Sequence, residues 1–63
     1  MNQYFTDFEI RDEDGIVVRW GNCVTQTELD DIREIVDSIK TKISDDELVS
    51  KDKIRFRQFN KIG

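Results

Sequence analysis

Tyr4-Phe5-Thr6-Asp7-Phe8-Glu9-Ile10-Arg11, then Asp12-Glu13-Asp14-Gly15, then Ile16-Val17-Val18-Arg19-Trp20, is the stretch on which the fold turns. Its first part alternates. Tyr4, Thr6, Phe8 and Ile10 share one side, and Phe5, Asp7, Glu9 and Arg11 share the other, the period-two pattern of a half-buried strand over residues 3–11. Asp12-Glu13-Asp14-Gly15 suits a type I turn closed by a glycine in the left-handed region, so residues 16–20 are expected to return as the second strand of a hairpin. The three-residue loop sets Ile10 opposite Val18, Phe8 opposite Trp20 and Glu9 opposite Arg19. That register puts apolar against apolar on one face and acid against base on the other.

Beyond the hairpin, Gly21-Asn22-Cys23 interrupts the alternation and Val24-Thr25-Gln26-Thr27-Glu28-Leu29 carries a helix-start signature. Thr25 is the expected N-cap, Glu28 closes a capping box, and Val24 and Leu29 occupy the positions of a hydrophobic staple. Leu29, Ile32, Ile35, Val36, Ile39 and Ile43 then recur every three or four residues, an apolar stripe along a helix spanning 26–43. Asp30 and Asp31 near its start and Lys40 and Lys42 near its end suit the helix dipole. Ser44-Asp45-Asp46-Glu47 repeats the capping-box pattern and predicts a short extra helical turn over 45–50. Ile54-Arg55-Phe56-Arg57 alternates again, a third strand over 53–59 with Phe59 out of phase.

A helix of about 27 Å, at 1.5 Å per residue, returns the chain to the end of the sheet where the second strand began. The third strand then runs antiparallel beside the first. The expected fold is α+β: a small ββαβ domain with an antiparallel three-stranded sheet in order 2-1-3, one long helix packed on one face, and residues 1–63 forming a single domain.

A domain of 63 residues buries only about 60% of the surface its unfolded chain exposes, so a partner or a second copy would add stability. Apolar residues make up 37% of the chain, including Tyr4, Phe5, Phe8, Trp20, Phe56 and Phe59, enough for one thin layer of core. A ligand pocket of roughly 300 Å³ or more would hollow out that layer, so no small-molecule ligand is expected. The single Cys23 forms no internal disulfide, which points to a reducing compartment. No basic leader opens the chain, and no window approaches the roughly 18 apolar residues of a membrane span, so the expected location is cytoplasmic and no membrane contact is expected.

Catalytic chemistry finds little to work with. There is no histidine, which removes the usual general base near neutral pH and the commonest metal ligand. Cys23 has no neighbouring base to activate it. Asp12-Glu13-Asp14-Gly15 resembles part of a calcium loop, but the fifth and twelfth positions of such a loop would be Ile16 and Cys23, neither an oxygen-bearing side chain. The acidic runs Asp30-Asp31 and Asp45-Asp46-Glu47 fall where helix first turns are expected, which accounts for them. No catalytic, metal or cofactor-binding residue is assigned, and the chain is read as a non-enzyme without cofactor.

Charge is segregated along the chain. Residues 1–50 carry five Arg/Lys against thirteen Asp/Glu, a balance of −8, while residues 51–63 carry Lys51, Lys53, Arg55, Arg57 and Lys61 against Asp52, a balance of +4; the two sum to the net −4. One helix cannot cover both faces of a three-stranded sheet, so the leading candidate surface is the face turned away from it. Phe5, Val17, Arg19 and Phe59 are the candidate protein contacts there, an apolar centre rimmed by charge.

Two other surfaces compete with this face. Lys53, Arg55 and Arg57 interleave with aromatics in the manner of nucleic-acid binders, although Asp7 and Glu9 of the adjacent strand are expected to pair with the arginines. Asp30, Asp31, Glu34 and Asp37 form a short acidic face of the kind an inhibitor mimicking nucleic-acid phosphates would use. The favoured reading is a small cytosolic interaction module of bacterial or phage type that docks to a protein partner or to itself as a homodimer.

Overall fold

The computed structural model describes residues 1–63 and has three strands and one helix: β1 (Asn2–Arg11), β2 (Val17–Thr27), α1 (Ile32–Glu47), a single 3-10 turn (Lys51–Lys53) and β3 (Ile54–Lys61). The strands form one antiparallel sheet in order β2-β1-β3 with α1 across one face, the expected ββαβ arrangement. Its principal extents are 37 × 17 × 16 Å, so the sheet is long and narrow. No helix is long and apolar enough to cross a membrane.

The core is the single layer that the periodicities demand. Tyr4, Phe8 and Ile10 of β1 and Ile54 of β3 meet Ile35, Ile39 and Ile43 of α1, and all seven are buried. Each such side chain contributes roughly 1.5–3 kcal/mol relative to exposure. The helix lies over β1 and β3, with Phe56, Phe59 and Val49 closing the margin of the core on that side.

The hairpin loop forms as expected. The Gly15 amide donates to the Asp12 carbonyl at 3.0 Å, the Asp12 carboxylate accepts from the amides of Asp14 and Ile16, and Gly15 has φ +81°. Arg11 lies opposite Val17, as the loop requires. One residue later the register shifts at a β-bulge, so that Ile10 faces Arg19, Glu9 faces Trp20 and Phe8 faces Gly21. The expected pairs Ile10–Val18, Phe8–Trp20 and Glu9–Arg19 are therefore corrected.

The packing under the helix explains the bulge. A Cβ on Gly21 would sit 2.6 Å from Cζ of Phe8, so the Phe8 ring occupies the space a side chain there would need. A core one layer thick holds one large ring at this row, and a tryptophan opposite it has no room. Trp20 turns to the other face, and Gly21 takes its place.

A second bulge, in β3 opposite the step from Asp7 to Phe8, has the converse effect. It restores Phe59 to the helix side opposite Thr6, where its ring stacks on Tyr4 at 5.2 Å and on Phe56 at 5.7 Å.

β2 also runs far past its expected end at residue 20. Val24, Thr25, Gln26 and Thr27 pair with Phe5, Tyr4, Gln3 and Asn2, so the Thr25 capping box and its staple do not form. These β-branched and polar residues satisfy either local pattern, and the open ladder positions of β1 decide between them. The helix starts instead at Asp31, whose carboxylate accepts from the amides of Arg33 and Glu34 at 2.8 and 3.3 Å.

At its other end α1 continues without a break to Glu47, absorbing Ser44-Asp45-Asp46-Glu47 in place of a separate turn. Lys40 and Lys42 are thus not at the terminus. Asp45, Asp46 and Glu47 face the negative end of the dipole, an unfavourable placement that Arg19 offsets in part by pairing with Glu47 at 3.0 Å. Leu48 closes the helix in the left-handed region at φ 58°.

Candidate interaction surface

The sheet face turned away from α1 is built in rows. Val24, Phe5 and Asn60 lie side by side across β2, β1 and β3; Asn22, Asp7 and Gln58 form the next row; Trp20, Glu9 and Arg55 the third. The apolar members gather toward β2. Trp20 is 62% exposed and Val24 54%, with Phe5 half-buried beside Val24 and Val17 half-buried opposite Arg11. Trp20 is the largest of the apolar side chains the chain leaves exposed, and that makes it the most informative feature of the face.

Of the four residues expected to make protein contacts, Phe5 and Val17 lie on this face. Arg19 and Phe59 do not: the bulge in β2 turns Arg19 toward α1 and Glu47, and the bulge in β3 turns Phe59 into the aromatic stack. Trp20 and Val24, which the register expected from sequence left out, take their places. The alternation Trp20, Asn22, Val24, Gln26 against Arg19, Gly21, Cys23, Thr25 is the signal that reveals them, provided Gly21 is read as part of a strand and not as its end.

The backbone adds a second property. Gln3 bonds toward β3, donating to the Gly63 carbonyl and accepting from the Ile62 amide, both at 2.8 Å. Asp12 bonds toward β2, donating to the Ile16 carbonyl at 2.9 Å. Because successive residues of a strand aim their amides and carbonyls to opposite sides, the even residues of β1 serve β2 and the odd ones serve β3. The partners of those even residues, Arg19, Gly21, Cys23 and Thr25, therefore spend their backbone groups within the sheet. Trp20, Asn22, Val24 and Gln26 direct theirs outward along a free edge, and their side chains line the open face.

The competing surfaces are arranged as follows. Arg55 lies opposite Glu9, but the Glu9 carboxylate is bound by Arg11 at 2.5 Å, and Arg57 sits at the β3 bulge; neither arginine is in an ion pair, contrary to the expected pairing with Asp7 and Glu9. Lys53 is half-buried in the 3-10 turn. Within the acidic set, Asp31 is committed to capping α1 and Asp37 accepts from Lys51 at 2.9 Å, which leaves Asp30 and Glu34. The acidic face is shorter than its spacing in sequence suggests.

One shallow cleft of about 190 Å³ lies between the end of α1 and β2, lined by Phe8, Asn22, Cys23, Lys42, Ile43, Asp46 and Glu47. It is smaller than the roughly 300 Å³ at which small-molecule pockets begin. No group of three or more acidic or cysteine side chains converges in a way that would hold a metal ion. Comparison of the chain with protein-family models, with curated proteins and with solved structures finds no match.

Proposed function

We propose that the protein is a non-enzymatic interaction module that docks to a protein surface through the β2 side of its open sheet face, with Phe5, Trp20 and Val24 as the apolar contacts. The exposure of Trp20 carries this reading. A large rigid aromatic with Glu9 beside it on β1, Asn22 two residues along β2 and Arg55 on the far side of Glu9 has the composition of an interface anchor, an apolar group next to polar ones. The free Cys23 suits a cytoplasmic setting.

Trp20→Lys tests the reading, because the substituted side chain points to solvent and leaves the core intact. Capture of protein partners at moderate salt is expected for the native chain and lost for the variant, with unchanged circular dichroism. Equal capture by both would refute it.

The unpaired Arg55 and Arg57 support a second reading, contact with single-stranded nucleic acid through Lys53, Arg55 and Arg57. Binding of an oligonucleotide that Arg55→Ala with Arg57→Ala abolishes, and Trp20→Lys does not, would favour it over the first. The net charge of −4 weighs against it.

A further inference from the structure

Resting on the docking reading, we infer that the occupant of this surface is a second copy of the chain, joined edge to edge through antiparallel pairing of β2 with β2 about a two-fold axis at Asn22. Three observations converge on it.

The first is the free edge itself. β2 is eleven residues long, contains no proline, and is regular from Arg19 to Thr27, since its only bulge lies at the hairpin end. Trp20, Asn22, Val24 and Gln26 aim unpaired amides and carbonyls outward. An edge of this kind is a template for another strand.

The second is charge. Two chains of net charge −4 repel at long range, so a self-interface must be locally neutral. Between Val17 and Thr27 the only charged side chain is Arg19, which Glu47 already neutralises. The opposite edge, β3, carries Arg55, Arg57 and Lys61 with no acid among Ile54–Lys61, so two copies meeting there oppose like charges.

The third is self-complementarity. Asn22 is the midpoint of Val17–Thr27, so a two-fold axis there overlaps the whole strand. Trp20 of each copy then lies opposite Val24 of the other, and the two Asn22 residues face each other. All of these residues have outward-directed backbone groups, so each opposed pair exchanges both of its hydrogen bonds. The Trp20–Val24 pairs cover apolar surface that the monomer exposes, and the Asn22 amides can bond to one another across the axis. The product is a continuous six-stranded sheet with an isologous interface.

The same register sets Cys23 opposite Gly21 of the partner, which places the two Cys23 side chains diagonally about 7–8 Å apart on the helix side. As the only cysteine, Cys23 makes the register measurable. Sedimentation of the purified chain over a concentration series is expected to show a dimer that higher salt strengthens, because the subunits share a sign of charge. A short bis-maleimide should trap it through Cys23.

Asn22→Pro removes an outward amide that the intramolecular ladder does not use. Asn22→Lys sets two cations against each other at the axis. Both should leave folded monomers at concentrations where the native chain is dimeric, and the lysine variant decides the matter if proline perturbs the fold. A native chain that stays monomeric overturns the inference while leaving docking to a different protein open to the Trp20→Lys test. A dimer that survives Asn22→Lys but not Trp20→Lys overturns edge pairing in favour of face-to-face packing.

Discussion

The two edges of the sheet are opposites. β3 is eight residues long, bulged near its middle, lined with Arg55, Arg57 and Lys61, and held on the helix side by the Tyr4–Phe59 stack. β2 is eleven residues long, regular over most of its length, neutral apart from Arg19, and exposes Trp20 and Val24 on the face away from the helix. Bulges and positive charge are devices by which a strand resists pairing with a neighbour, and β3 has both. β2 has neither of them past its first residues. The contrast indicates that an exposed edge is not a by-product of small size in this chain, because one of its two edges is protected.

The largest effect should come from erasing the contrast. Arg55→Thr with Arg57→Thr leaves Lys61, at the end of the strand, as the one charge on β3, so that both edges can pair, and a sheet open on both sides propagates without closure. Light scattering and thioflavin fluorescence are expected to report large assemblies at concentrations where the native chain remains small; a variant as well behaved as the native chain would show that those charges do not guard the edge.

Next in size is Phe59→Ala, which removes the half-buried ring that anchors β3 against Tyr4 of β1 and stacks on Phe56 of its own strand. It should cost about 2–3 kcal/mol, somewhat below the range for a fully buried phenylalanine. Urea unfolding measures it, and a loss below about 1 kcal/mol would mean the ring is as dispensable as one on the open face.

Gly21→Ala probes the corresponding anchor of β2. The added methyl must displace the Phe8 ring, at a cost of about 1–2 kcal/mol for overpacking. Unchanged stability would mean the ring moves freely into the neighbouring cleft.

The smallest effect is expected from Arg19→Ala. Its ion pair with Glu47 is largely exposed, and its loss should lower stability by under about 1 kcal/mol, with still less change at high salt. Because Arg19 is turned away from the open face, partner capture should not change. Loss of capture would return Arg19 to the contact surface and challenge the register.

Much of this organisation was legible in the residues. The alternation from Tyr4 to Ile10 and the turn chemistry of Asp12 to Gly15 each follow from one local rule and stand in the structure as read; of the apolar stripe, Ile35, Ile39 and Ile43 are buried and Val36 half-buried, while Leu29 precedes the helix and Ile32, in its first turn, is exposed. The candidate surface was legible only as a face. Its members depended on register, and each bulge moves one extra residue past a partner strand, which inverts every side chain beyond it. That single mechanism takes Arg19 and Phe59 off the open face and puts Trp20 on it. The misplaced helix start has a different origin. Thr25 and Glu28 satisfy a capping box and Val24 to Thr27 satisfy a strand, and nothing within six residues discriminates between them.

By itself, the sequence determined the element types, their order, the antiparallel three-stranded topology and the segregation of charge, because periodicity, turn chemistry and composition are properties of neighbours along the chain. Tertiary structure alone decided where β2 ends, which residue caps the helix, and whether Trp20 or Gly21 lies beneath it. Those outcomes turn on competition for a core one layer thick, in which the Phe8 ring and a second large side chain cannot occupy the same space.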